Sequence, residues 1–256
     1  MTAFPPGFTA DLRRQTPWPS LTDSVWRDPG LAAATYGRLF DLITGCLPST
    51  PADVLEIGCV DAMTWDGAPG SYDTAIIART LHHFADPAAV LANVARWLRP
   101  DGRIVCVDFA HDRFDRRSAR WLASIVSLLA SADAHEREHD HDRPFDDDPA
   151  HATRPPDDDP AHATRQVEHD WVRDHTGHDL RTGAELLDAL RSRFRELSLT
   201  WHPYLYWEVA TALRTPDDGR VATTVRRWER FAIAQSEIPA LQFVYVGGRH
   251  AVAGSC

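Results

Sequence analysis

Three short stretches of this chain carry side chains able to move protons or hold ligands. Glu56 and Gly58 close one apolar run, His82-His83 follows a second, and Asp108 and His111 end a third. An imidazole titrates near neutral pH, so His82 or His83 can act as a general base. The alternative for each is a turn histidine, packed or facing solvent, and Asp108 and His111 are open to the same two readings. Trp201, Tyr204, Tyr206 and Trp207 form an aromatic cluster that can wall a substrate pocket or pack a core or interface. The run His135-Glu-Arg-Glu-His-Asp-His-Asp142 offers zinc-class ligand types, but nothing around it fixes a backbone. It reads as a solvated acidic loop, and no metal is expected.

The elements that must position these groups are legible as alternating runs. Val54–Gly58, Thr74–Ala78 and Arg103–Phe109 are nearly continuous apolar stretches, suited to strands buried on both faces of a parallel sheet. Between the last two, Asp86-Pro87 supplies a helix cap with Pro at the first position, and Val90, Leu91, Val94, Trp97 and Leu98 make one stripe. This is a βαβ unit. Further helices are expected over Leu31–Leu47, around Trp121–Leu129, after the capping box Thr182-Gly-Ala-Glu185, and through Val221, Val225, Trp228 and Phe231. Leu197–Trp201 and Leu241–Val246 read as late strands.

Composition bounds the function. The 256 residues, 43% hydrophobic and 25% charged, suit a soluble globular protein of roughly one to two domains. The net charge of −10 repels phosphate backbones and anionic lipid, so neither nucleic acid nor membrane is expected as a partner. Cys46, Cys59, Cys106 and Cys256 are scattered without paired spacing, and the N-terminus lacks an apolar signal core, so a cytoplasmic protein is expected. The chain divides into an N-terminal arm and helix (1–50), a core (51–132), a disordered acidic His/Asp/Pro-rich loop (133–168), and C-terminal helices and strands (169–256). The loop holds DDDPAHATR twice, at Asp146–Arg154 and Asp157–Arg165.

Four motifs, Val54-Leu-Glu-Ile-Gly-Cys59, Tyr72-Asp-Thr-Ala-Ile-Ile77, Leu81-His-His-Phe-Ala-Asp-Pro87 and Leu98-Arg-Pro-Asp-Gly-Arg-Ile-Val105, stand in an order that resembles the class I S-adenosylmethionine-dependent methyltransferases. The resemblance implies an α/β Rossmann-like methyltransferase fold, mostly parallel with one antiparallel late strand. It also implies S-adenosylmethionine as cofactor, and transfer of its methyl group to an O, N or C atom of a small-molecule substrate. By the same resemblance Glu56, Gly58 and Arg79 are candidates to bind the cofactor, although Glu56 can equally be capped within its strand and Gly58 can simply end it. His82 and His83, following a strand at the carboxyl edge, are the catalytic candidates.

The chain departs from that family between Gly58 and Tyr72. A glycine-rich turn, a helix and a second strand ending in a ribose-binding acid are expected there. A βαβ unit takes roughly 30 residues or more, and only 13 separate Gly58 from Tyr72. The plainest account is a deletion that truncates the fold at its cofactor side. Val60-Asp-Ala-Met63 resembles the family segment that meets adenine, which gives Asp61 the amino edge and Met63 the ring face, with Ala62 between them. A turn residue and a core filler are the other readings of Asp61 and Met63. Loss of the second strand turns the first into a sheet edge, for which exposed apolar surface or a homo-oligomer is the expected result. Two rivals follow from the missing cofactor elements: a non-catalytic homologue that binds a partner or ligand, and a cofactor-independent enzyme working in the same cleft.

Overall fold

Leu98–Phe109 (β3) is the axis of the sheet. From Ile104 to Phe109 every residue is buried, as a continuous apolar run requires of a strand covered on both faces. The computed structural model describes residues 29–48, 52–58, 65–139, 160–176, 180–212 and 218–250. Val54–Ile57 (β1) pairs in parallel with Tyr72–Ala78 (β2), which pairs in parallel with β3. Beyond β3 lies Gln242–Arg249 (β5), antiparallel to it and also to Phe194–His202 (β4). The order β1-β2-β3-β5-β4 thus leaves only β5 reversed, and the sheet is mostly parallel as expected.

The expected truncation is visible in β1. It ends the sheet, and residues 65–71 of its connection to β2 form neither helix nor strand. Leu55 and Ile57 are buried while Val54 and Glu56 are exposed, so only one face of this strand is covered. Val54 keeps 42% of its surface open. Two reciprocal contacts hold the strand starts together: the Asp53 N–H donates to Asp73 Oδ2 at 2.9 Å, and the Asp73 N–H to the Asp53 carbonyl at 2.9 Å. Arg99 bridges both carboxylates from the start of β3.

Helices cover the two faces unequally. Pro29–Ala32 (α1) runs through a π-helical turn, Ala33–Gly37, into Arg38–Thr44 (α2). From α2, Leu39, Leu42 and Ile43 pack on Val105, Val107 and Val244. The opposite face carries Pro87–Trp97 (α3) and, later in the chain, Gly183–Arg193 (α6), whose Val90, Trp97, Leu186 and Leu190 meet Ile77, Ile104 and Cys106. Both cap signals operate: Asp86 Oδ1 accepts the Ala89 N–H at 2.9 Å, and Thr182 and Glu185 form the reciprocal capping box. Arg116–His139 (α4), Pro160–Thr176 (α5), Leu205–Ala212 (α7) and Asp218–Ala234 (α8) gather a second core around Phe109 and Leu241 at the carboxyl edge of the sheet.

Three elements differ from expectation. The acidic segment placed at 133–168 is helical at both ends, since α4 continues to His139 and α5 begins at Pro160. Residues 140–159, with the first copy of the repeat, lie outside the described residues, as does the arm before Pro29. Helix α5 forms because Trp171, 7% exposed, buries itself in the second core. In α8 the packed stripe is Ala222, Val225, Glu229 and Ala232, which turns Trp228 and Phe231 outward. Helix α7 has no counterpart in the sequence pattern. Among the described residues, no helix is long and apolar enough to cross a membrane.

Gly183 sets how closely α6 approaches the sheet. A Cβ there would lie 2.2 Å from Ala110 Cβ and 2.7 Å from Ala110 Cα. Gly183→Ala is expected to lower stability by about 1–3 kcal/mol through overpacking, and Thr182→Ala by about 1 kcal/mol through loss of the cap. Both are read as lower urea midpoints at unchanged m value. An unaltered midpoint for Gly183→Ala would show that α6 sits loosely on β3.

Candidate functional site

The carboxyl ends of β1, β2 and β3 share a rim with the amino end of β5, the place where open α/β sheets bind ligands. Its deepest group is Asp108, fully buried near the end of β3. Asp108 Oδ1 lies 2.6 Å from His82 Nδ1 and accepts the Phe109 N–H at 2.8 Å, while Oδ2 accepts the His82 N–H at 3.3 Å. A carboxylate only accepts, so the bond assigns the proton to Nδ1 and leaves Nε2 as the basic nitrogen of His82. That ring is 4% exposed and meets Phe109 edge-on at 4.7 Å. His83, beside it, is exposed, with ring centroids 4.0 Å apart. The structure therefore brings His82 and Asp108 together as an oriented pair and leaves His83 as the imidazole that solvent or a ligand can reach.

His111 ends up on the same edge, in the 3-10 turn His111–Arg113. It is buried, and its Nε2 has no hydrogen-bond partner. Its neighbour is His175 of α5, whose ring lies on Trp171 at 3.9 Å. Neither His175 nor Trp171 was singled out by the sequence pattern. Their signal, Thr164, Val167, Trp171 and His175 at helical spacing, is diluted by the polar residues around it.

Arg79 is the first residue after β2 and adopts φ +55°. Its N–H donates to the Val107 carbonyl at 2.7 Å, and its Nη2 to Gln242 Oε1 at 2.7 Å. The guanidinium carbon lies 3.6 Å from the Trp207 ring centroid and 5.1 Å from that of Tyr204. Tyr204 stacks on Phe109 at 4.6 Å, and Trp207 meets Tyr36 edge-on at 4.9 Å. The expected aromatic cluster is thus divided. Trp201 packs instead against Phe243 and beneath Arg113, away from Arg79.

The aromatic wall owes its position to a residue that the pattern conceals. Glu229, fully buried on α8, accepts the N–H groups of Tyr204, Leu205 and Tyr206 at 2.6, 2.8 and 2.8 Å, capping the start of α7. Burial pushes its carboxyl up to about 7, against the opposing pull of the three N–H donors and of Arg226. A lone acid in an amphipathic helix reads as solvent-facing, so nothing in the sequence marks Glu229.

The cofactor candidates fare unevenly. Glu56 is exposed on the uncovered face of edge strand β1. Gly58 follows β1, where a Cβ would meet Thr80 alone among the described residues, its methyl at an ordinary 3.6 Å and its Oγ1 at 4.0 Å. Thr80 Oγ1 donates to the Ile57 carbonyl at 3.1 Å and ties that end of β1 to the turn after β2. Asp61, Ala62 and Met63 lie outside the described residues. Between β1 and β2 the described residues contain no strand ending in an acid of the kind expected to meet a nucleoside's ribose. The described residues thus do not fit the sugar of S-adenosylmethionine. Among them, no group of three or more His, Cys, Asp or Glu side chains is arranged to hold a metal, and those of His135–Asp142 lie outside the description.

Residues 44–106 match the family model described as a methyltransferase domain. Methyltransferase tpcM of Aspergillus fumigatus is 33% identical over 108 residues, which is 42% of this chain and 30% of that protein. The match thus spans less than a third of the relative's length. Among solved structures, geranyl diphosphate C-methyltransferase of Streptomyces coelicolor covers 75% of this chain over 50% of its own, at 11% identity and TM-score 0.36. A candidate methyltransferase of Bacillus halodurans covers 82% of this chain over 97% of its own, at 11% identity and TM-score 0.39.

The Glu229 carboxyl gives the fold a signed pH dependence. Its folded pKa of about 7 exceeds the ordinary 4.5, so its stabilisation is complete below pH 4.5 and declines as pH rises through 7. The gap corresponds to about 3 kcal/mol. Urea unfolding at several pH values should show this decline, and Glu229→Gln should remove it. A slope in that window unchanged by the substitution would place the ionisation elsewhere.

Proposed function

We propose that the protein, whose residues 44–106 match a methyltransferase-domain model, is a class I S-adenosylmethionine-dependent methyltransferase homologue that handles a small organic molecule at the carboxyl rim, with S-adenosylmethionine as its methyl donor. The observation that supports this is the oriented His82–Asp108 pair with the exposed His83 beside it. The donor, when bound, supplies an electrophilic methyl group. The chain's task is to align an O, N or C nucleophile and remove its proton. His83 is the group placed to take that proton. Asp108 and His82 are positioning residues: the carboxylate fixes the His82 ring, and that ring supports His83.

The donor's grip is reduced. Gly58 leaves space at the end of β1, and Asp61 and Met63 are the residues proposed to meet the adenine amino edge and ring face. No described strand between β1 and β2 ends in an acid for the sugar. That absence favours a second reading, in which the chain keeps the ligand rim of the family as a non-catalytic homologue, or works there without the cofactor.

Calorimetric titration with S-adenosylmethionine and S-adenosylhomocysteine separates the two. The first reading expects saturable heat for both, with Asp61→Ala weakening binding about tenfold through loss of a hydrogen bond to the adenine edge. Absence of binding at millimolar nucleoside would leave the second reading.

A further inference from the structure

Arg79 carries a guanidinium held against aromatic rings. Among the described residues no carboxylate lies within ion-pair distance of its guanidinium, whereas Arg99, Arg117, Arg173 and Arg191 each have one. Of its three nitrogens, Nη2 bonds the neutral Gln242 amide. Nε is buried with no acceptor. Nη1 is neither buried nor hydrogen-bonded to a described residue. The group is held in place from several sides: by the Trp207 face, by the bond to Gln242, and by a backbone in the left-handed region. A non-glycine residue persists there only where its surroundings over-determine it. The phenols of Tyr36, Tyr204 and Tyr206 lie within its field.

A guanidinium fixed against aromatic faces, partly shielded from water and lacking a carboxylate, attracts anions more strongly than one in bulk solvent. We propose that Arg79 is the receptor for an organic carboxylate, bound through the free Nη1 edge between β2 and the start of α7. The carboxylate belongs to the small-molecule substrate or to the amino-acid end of the nucleoside donor. A single negative charge suits the site. Glu208 and Asp108 both act on Tyr204 beneath the guanidinium, and the chain carries a net charge of −10, which together disfavour a dianion such as phosphate. The assignment deepens the proposal that this rim holds the small molecule, and it rests on that placement.

The test uses the full chain and isothermal titration with two pairs of probes. Indole-3-acetate is compared with its uncharged amide, and S-adenosylhomocysteine with methylthioadenosine, which lacks the amino-acid end. Each is repeated with Arg79→Gln and with Arg79→Lys, and thermal unfolding verifies the variants' fold. A preference of about tenfold or more for indole-3-acetate over its amide, lost in Arg79→Gln and partly kept in Arg79→Lys, establishes the receptor with the carboxylate on the substrate. The same pattern for S-adenosylhomocysteine over methylthioadenosine establishes it with the carboxylate on the donor. If neither nucleoside binds while the acid preference depends on Arg79, the receptor stands and the methyl-donor reading falls. Equal behaviour within both pairs in the unaltered protein overturns the receptor, as do preferences that survive Arg79→Gln. The comparison in the unaltered protein keeps this outcome open even if the variants fail to fold.

Discussion

A carboxylate removed from water must be given donors, and the site descends from how Asp108 is supplied. It sits fully buried near the end of β3 and accepts from the His82 ring, the His82 N–H and the Phe109 N–H. Two of these donors belong to the turn after β2, so that turn is drawn over the end of the neighbouring strand. Drawing it there bends the chain at Arg79, whose N–H finds the Val107 carbonyl. The His82 carbonyl then accepts the Arg181 N–H at 3.1 Å, which brings the start of α6 to β3, where Gly183 lies against Ala110 and donates to Asp112. One buried charge thus sets the order of turn, strand and helix along the rim.

A second buried carboxylate, Glu229, organises the helical side by a different means. Asp108 is satisfied largely by an imidazole, which can share its proton. Glu229 has three backbone N–H groups, the partial positive charge of a short helix start and the field of Arg226, and burial outweighs them. The two acids meet through Tyr204, which stacks on Phe109, the residue after Asp108, and whose N–H bonds Glu229. The aromatic wall around Arg79 is therefore suspended between two buried carboxyl groups, and neither can be moved without disturbing it.

Much of this architecture is legible in the sequence because local signals and tertiary needs agree. Asp86-Pro87 caps a helix whose stripe is also the face that the sheet must cover, and Thr182 and Glu185 do the same for α6. The strands of the core read as continuous apolar runs because both faces are covered, and the short link after Gly58 shows on inspection of the motif order. The failures come where packing overrides composition. Residues 160–168 look like polar linker, yet Trp171 further along pulls the segment into a helix. The Val221, Val225, Trp228 and Phe231 pattern rotates once Glu229 is turned inward, which no hydropathy pattern foretells. Gln242 opens the last apolar run, and only its partner Arg79, 163 residues away, shows why it is there.

The brevity of the β1–β2 link has a consequence for how the chain assembles and breathes. Asp53 and Asp73, which join the two strand starts, are separated by 20 positions. Closing so short a loop rather than one of about 30 residues saves only ~0.4 kcal/mol, but it makes a parallel pairing nearly local and therefore kinetically accessible early. Among the described residues of this link, 65–71, no helix clamps β1 from its open side. That strand is the part of the sheet able to detach with least disruption, a low-stability unit along which amide protons exchange first. Any molecule bridging Gly58 and Thr80 would shift that opening equilibrium, so ligand capture at this corner is coupled to the ordering of the first strand.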